Sequence, residues 1–496
     1  MNTNTHTPTT AAPTQANNTS QSQNTMRLEH DCIGTKQVPD SVYWGIHTQR
    51  AIENFPVSGI TDGEHPVMIQ AFATIKRACA LANHDLGLLT EQQAQAITTA
   101  CQEIEQGKLL DQFPIDVLQG GAGTSLNMNM NEVIANRALE ILNQPRGAYE
   151  YIHPNDDVNK SQSTNDTYPA ASKLAIIRAI EPSIAECEHL ANAFHTLADK
   201  HIEDITIGRT QLQDAVPMTF GQEFHAFATM LKSDIAMLRA VIPHLCTLNL
   251  GATAIGTGIC ADLRFRKEAT QQLARITQLP IRAASDPVAA VTDMSSYMHT
   301  ADALQTLAMH LKKAADDLRL LNSGPASGFG ELTVPARQAG SSIMPAKVNP
   351  VIPECVNQCC FMTFGMHTTV TWACSEGQLQ LNAFDPVIVH TILQSIDMLT
   401  RAMSIFRTHC VEGITVHRDI GEQHAQMSPA IATALNPYIG YEEASAIAKQ
   451  AAAQRKSVRN IAAESTNLSS QELDNILDPI ALSRGLGQTC REHQES

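Results

Sequence analysis

Aromatic side chains are scarce in this chain: Phe, Trp and Tyr make up 4% of 496 residues, with only 2 tryptophans. Sheet-rich cores draw on aromatic and β-branched residues, so this scarcity, beside abundant Ala and Leu, favours helix. Basic residues are also in the minority, 34 Lys plus Arg against 50 Asp plus Glu, for a formal charge of −16. No basic patch stands out, which argues against nucleic acid or an anionic membrane as partner. No apolar run is long enough to cross a bilayer. The start has neither a basic nor an apolar leader region, so no secretory signal is expected and the cytoplasm is the expected compartment. The 12 cysteines include no CxxC pair. Cys355, Cys359 and Cys360 are helically spaced. No histidine or second cysteine pair stands at zinc-site spacing beside them, and reduced thiols are the expectation.

What the chain does have is concentrated in a few stretches. Gly340 to Pro350 reads Gly-Ser-Ser-Ile-Met-Pro-Ala-Lys-Val-Asn-Pro. Two prolines keep it out of a helix, and Gly340 frees the backbone at its start. It brings two hydroxyls, one ammonium and one amide within reach of a single anionic ligand. By composition alone it reads equally well as a surface loop with an ordinary lysine. Gly120 to Arg137 opens with small residues just ahead of an expected helix, whose free N–H groups would face an anion; a tight helix-entry turn would look the same. His153 to Asp166 is dense in donors and acceptors. His153 reads at least as well as an exposed structural histidine as an anion contact, and Arg50 reads better as an ion-pair residue than as a ligand.

These stretches resemble the shared segments of the aspartase/fumarase superfamily, and the likeness extends over about residues 27 to 485. Gly340–Pro350 is similar to the family's signature loop at nearly every position. The phrases at 38–59, at 208–217 (Gly-Arg-Thr-Gln-Leu-Gln-Asp-Ala-Val-Pro) and at 378–382 (Gln-Leu-Gln-Leu-Asn) resemble those of aspartate ammonia-lyases. Two positions depart from the pattern. Gln211 stands where fumarases carry His and cannot take a proton as imidazole can. Cys260 replaces the usual Asn after the 249–259 segment.

The resemblance implies a mainly α, three-domain fold with a central bundle of long helices that packs into a tetrameric core. It implies reversible elimination of ammonia from L-aspartate to give fumarate. Ser341 would be the catalytic base. Thr124, Ser163, Thr164 and Ser342 would donate to the β-carboxylate, Lys347 and Asn349 would hold the α-carboxylate, and Asn165, Thr210 and Gln211 would contact the amino group. In the family such residues meet at subunit corners, so a homotetramer is expected and a monomer would be inactive. Hydroxyls, amides and one lysine suit a carboxylate better than a transition metal, so no cofactor or catalytic metal is expected, although a divalent cation is compatible as a non-essential activator. Fumarate hydratase, or a non-catalytic structural protein on the same scaffold, are the competing readings. Ala122, Gln211 and the Gln378–Asn382 phrase speak against the first, and the intact Ser341, Lys347 and Asn349 against the second.

The length calls for two or three domains. The boundaries expected are a disordered polar tail at 1–26, an N-terminal domain at 27–162, a central helical bundle at 163–415 and a small C-terminal helical domain at 416–496. Long helices are expected at about 168–201, 217–247, 294–322, 351–373 and 385–408. In the third, Leu304, Leu307, Leu311, Ala314, Leu318 and Leu321 alternate spacings of three and four, a heptad seam ended by Gly324-Pro325. Thr90 with Gln93 forms a capping box, and Gly107 ends that helix.

Overall fold

The structure is a computed structural model that describes residues 25–485. The tail expected at 1–26 therefore lies outside the described residues as far as residue 24; Met26 already belongs to the first strand. The elements in order are β1 (Met26–Asp31), β2 (Gly34–Pro39), α1 (Ile46–Asn54), α2 (Pro66–Asp85), α3 (Glu91–Glu105), α4 (Thr124–Ile141) and α5 (Thr164–Lys200). A hairpin follows, β3 (Ile205–Thr210) and β4 (Gln213–Thr219), then α6 (Phe220–Leu245), β5 (Thr247–Leu248), α7 (Phe265–Thr277), β6 (Arg282–Ala283) and α8 (Pro287–Thr292). Next come α9 (Ser295–Leu321), β7 (Leu332–Thr333), α10 (Val351–Ser375), α11 (Asp385–His409), β8 (Thr415–Val416) and α12 (Arg418–Met427). Five short helices close the described chain: α13 (Asn436–Ile439), α14 (Tyr441–Gln454), α15 (Val458–Ser465), α16 (Ser470–Ile476) and α17 (Pro479–Ser483). The strands pair only two by two, and the molecule is mainly helical.

All five expected long helices are present; α6 begins three residues later than expected, because Pro217–Thr219 finish β4. All six seam residues of α9 are buried. The Thr90–Gln93 box caps α3, and Gly107 follows its end with φ +84°. α5 packs against α6, α11 and α2, while α9 and α10 pack on each other and on the same group. α5 and α6 run antiparallel, as do α9 and α10, so the bundle has two distinct ends. At one end α5 begins: Ser172 Oγ lies 2.7 Å from Tyr297 Oη near the start of α9, and Lys173 Nζ donates to the Thr247 carbonyl (3.1 Å) past the end of α6. At the other end α5 finishes, and the β3–β4 hairpin meets the segment after α9.

α5 starts four residues earlier than expected. Ser163 Oγ accepts from the Asn165 amide, and the Asp166 carboxylate accepts from the Ser163 amide, which begins the helix ahead of Pro169. Pro169 has no N–H to give to the Asn165 carbonyl four residues back. Asn249 Nδ2 supplies the missing donor at 2.9 Å. A helix-interior proline thus becomes the docking point for the 249–254 segment.

One hydrophobic core runs continuously from Met68 to Ile414, and a second, smaller one from Ile431 to Leu477. Large apolar side chains stay exposed along three bundle helices: Met237 on α6, Met309 on α9, and Phe361, Met362 and Trp372 on α10. No described helix is long and apolar enough to cross a membrane. The described cysteines are all free thiols. Burial raises the thiols of Cys79, Cys101 and Cys187 well above the ordinary range and pushes Cys360, Cys374 and Cys410 up to about 12. Cys32, Cys260 and Cys355 are exposed.

Candidate active site

The predicted site residues fall into two groups, one at each end of the bundle. The first gathers where α4 and α5 begin. Gly123, at φ +84°, turns the chain into α4, and a Cβ there would stand 2.3 Å from the Tyr168 ring. Thr124 is exposed at the head of α4 and its hydroxyl donates to the Gly121 carbonyl (2.7 Å). Asn127, one turn on, donates through Nδ2 to Thr164 Oγ1 (3.0 Å) and accepts from Thr167 Oγ1 (3.3 Å), tying the two helix starts together. Thr164 accepts in this bond, so its own hydroxyl hydrogen remains free for a ligand. Asn165 Nδ2 donates to the Ala254 carbonyl (2.8 Å). Asp166 is buried and accepts from the amides of Gly251 (3.1 Å) and Thr253 (2.9 Å). Asn165 and Asp166 thus dock the start of α5 on the 249–254 segment, and Asn127 ties the head of α4, where Thr124 sits, to Thr164.

Beneath this group lie residues that the sequence does not flag. Lys76 of α2 is fully buried and donates to Asn159 Oδ1 (2.9 Å) and Gln162 Oε1 (3.0 Å). Asn159 Oδ1 also accepts from Asn127 and Asn131. Burial pushes the Lys76 ammonium down to about 8 and the Asp166 carboxyl up to about 6. A lysine inside an amphipathic helix looks like any solvated lysine in sequence; only the fold shows that it braces the 159–164 turn.

The second group sits at the far end. Thr210 and Gln211 occupy the tip of the β3–β4 hairpin, where Thr210 pairs with Gln213 across a two-residue turn. Both turn residues, Gln211 and Leu212, have positive φ, +54° and +60°. Such turns favour Asn and Gly, and a non-glycine residue there is strained by about 1–2 kcal/mol. The sequence stretch reads as a connection because Gln-Leu carries no turn signal.

The Gly340–Pro350 stretch forms a closed loop just ahead of α10. Its neck is pinned by the Gly340 amide on the Lys347 carbonyl (2.8 Å) and by Asn349 Nδ2 on the Gly340 carbonyl (2.9 Å). A Cβ on Gly340 would meet the Lys347 carbonyl oxygen at 2.6 Å. Within the loop, Ser341 Oγ accepts from two backbone amides, Ile343 (3.1 Å) and Met344 (2.9 Å). Ser342 and Lys347 are exposed. A hydroxyl oxygen that already collects two N–H groups is placed to carry negative charge.

Arg50 pairs with Asp31 through Nε (2.7 Å) and Nη2 (3.0 Å), a structural ion pair. His153 Nδ1 accepts from the amides of Asn155 and Asp156, capping its own turn. Among the described residues no cluster of three or more His, Cys, Asp or Glu side chains converges as a metal site would.

The two groups cannot meet within one chain. α5 alone separates them by 37 residues, about 55 Å at 1.5 Å per residue. A bundle of long helices with a hydroxyl- and amide-rich cluster at one end and a Ser-Lys-Asn loop at the other is the architecture of a lyase family. Comparison with known proteins agrees. Residues 34–365 match the family model described as lyase, and residues 431–484 match the fumarase C C-terminus. The chain belongs to the aspartase/fumarase superfamily. It is 46% identical to the aspartate ammonia-lyase of Corynebacterium glutamicum, over 92% of this chain and 87% of that protein. It is 44% identical to that of Escherichia coli K12, over 91% and 95%. Among solved structures, fumarate lyase:delta crystallin from Brucella melitensis, bound to cobalt, superposes with a TM-score of 0.90 at 47% identity, over 92% of this chain and all of that one. The class II fumarase of Schistosoma mansoni superposes at 0.88 with 32% identity, over 92% and 99%.

Proposed function

We propose that this protein is an aspartate ammonia-lyase, which eliminates ammonia reversibly from L-aspartate to give fumarate, with Ser341 as the general base. The observation that carries the mechanism is the pair of amides on Ser341 Oγ. Removing a proton beside a carboxylate places two negative charges on that group, and a serine can do it only if both its own oxyanion and the carboxylate are stabilised. The two amides serve the first need. Ser163, Thr164 and Ser342, as neutral donors around the β-carboxylate, serve the second, joined by Thr124 once its hydroxyl turns from the Gly121 carbonyl to the ligand. Lys347 and Asn349 hold the α-carboxylate by a charge-assisted contact and an amide. Asn165, Thr210 and Gln211 receive the amino group. With Gln211 in place of a titrating side chain, no proton is handed over at that position.

The site is completed by other copies of the chain. The exposed Met237, Met309, Phe361, Met362 and Trp372 on the bundle supply an apolar face for a homotetrameric core. We read the enzyme as cytoplasmic, with no required cofactor or metal; a divalent cation would act at most as a non-essential activator. The test is the ultraviolet absorbance of fumarate formed from aspartate or from malate by purified protein. Fumarate from aspartate alone supports the reading. Fumarate from malate alone would make the protein a hydratase, and neither activity would make it a non-catalytic member of the superfamily.

A further inference from the structure

We infer that Glu331 is a positioning residue for the substrate's amino group, acting through Arg209 to hold the hairpin tip that carries Thr210 and Gln211. The inference rests on the aspartate ammonia-lyase reading for its kinetic consequence. Glu331 has no solvent exposure. Its carboxylate accepts from Arg209 Nη1 (3.2 Å) and Nη2, from Thr206 Oγ1 (3.0 Å) and from His424 Nδ1 (2.6 Å). Its backbone is fixed as firmly: its amide donates to the Leu321 carbonyl at the end of α9 (3.0 Å), and its carbonyl accepts from the His417 amide (2.9 Å). The guanidinium of Arg209 lies over the Phe329 ring, 4.4 Å from its centre.

Arg209 occupies a particular place in the hairpin. The register of β3 against β4 breaks between Ile207 and Arg209, and directly after Arg209 the chain enters the left-handed turn at Gln211 and Leu212. The tip residues Thr210, Gln211, Leu212 and Gln213 are all exposed. A strained turn with an exposed tip persists only where its surroundings fix it. The rigid fork of Arg209 on an immobile carboxylate is the fixed point next to that turn. A buried ion pair adds little to stability compared with apolar packing, so its presence here is better explained by geometry.

The experiment uses the full chain carrying Glu331→Gln, which keeps the shape and removes the charge. In the reverse reaction the KM for ammonium should rise by about tenfold, since the amine contacts are displaced, while the inhibition constant of succinate, which has no amino group, moves less than about twofold. Removing the Thr210 hydroxyl in the Glu331→Gln background should add much less than it does in the parent protein, because both changes act at the same contact. An unchanged ammonium KM, an equal shift in both constants, or additive effects with Thr210→Ala would overturn the inference. If Glu331→Gln does not fold, Arg209→Lys keeps the charge and loses the fork, and must show the same split. Hydrogen exchange without substrate separates this inference from the functional reading. Amides 209–213 should exchange faster in either variant, and unchanged exchange there refutes the clamp whatever the enzyme turns over. A parent protein that makes no fumarate from aspartate would refute the activity and leave that exchange result standing.

Discussion

Two variants that are each inactive should restore one another when they share an oligomer. Ser341→Ala removes the base from the loop ahead of α10. Thr164→Val removes a donor at the other end of the bundle, and Asn127 Nδ2 still has Asn159 Oδ1 at 3.3 Å as acceptor, so the fold is kept. The two positions are about 55 Å apart along the helix axis. The loop is tethered at β7 and at α10, and even a fully extended stretch from Thr333 to Ser341 reaches only about 30 Å. No movement of the loop within one chain closes that gap, so a site that uses both residues must combine ends from different copies. When two variants are co-expressed in equal amounts, a site is intact only if one contributing chain has Ser341 and another has Thr164. About a quarter of the sites meet that condition under random assembly. The assay is fumarate formation by oligomers purified through two tags in sequence, one on each variant. Activity of about two-sevenths of the parent value, the quarter being enriched because the two-tag purification discards single-variant tetramers, from variants each reduced by about 10²-fold or more, is the expected result. Mixed oligomers no more active than the variants alone would refute the split-site geometry.

Ser341→Ala and Lys347→Ala should fail differently. The first should lose turnover by more than the 10²–10³-fold of one oxyanion donor, roughly, and still bind succinate; the second should lose affinity clearly, with turnover reduced as well. Near-normal turnover in Ser341→Ala would end the base assignment. Turnover should persist through exhaustive chelation, and activity abolished by chelator and restored only by a divalent ion would contradict the metal-free mechanism. Burial raises the Asp62 carboxyl from 3.8 to about 8, against the pull of the Gln119 amide. The folded chain therefore holds that proton where the unfolded chain has lost it, so this contribution to stability is greatest below pH 3.8 and declines as pH rises to about 8. Asp62→Asn should flatten that decline, giving a melting-temperature advantage that grows toward alkaline pH; a gap independent of pH would refute it. Leu311→Ala, in the buried seam of α9, should cost about 2–5 kcal/mol by chemical denaturation.

Much of this architecture was legible before any coordinates. The seam of α9 and the capping box of α3 follow local periodicity and side-chain chemistry, which a single sequence displays directly. The start of α5 lies four residues ahead of the expected 168, because a proline suits a helix's first turn and Pro169 sits in the second. It is tolerated because Asn249, 80 positions later, satisfies the carbonyl it frees, and no local pattern records a partner so remote. The hairpin tip was missed for the opposite reason: Gln211 and Leu212 adopt a turn that their own preferences oppose, held by Glu331 from outside. Ser341, Lys347 and Asn349 stood out because they are close in sequence. Lys76 did not, since burial alone sets its character and burial is a property of the assembled fold.

The thiols offer a practical consequence. Alkylating reagents act on thiolates, and the buried cysteines are held protonated by their surroundings. Exposed Cys355 stands on α10, the helix that also displays Phe361, Met362 and Trp372, whereas exposed Cys32 directly follows β1 and exposed Cys260 lies between β5 and α7. With no engineering, the described chain thus carries one chemical reporter on a helix of the proposed assembly face and two on other segments to compare it with. Comparing their modification rates as the protein is diluted would follow its association in solution through mass spectrometry alone.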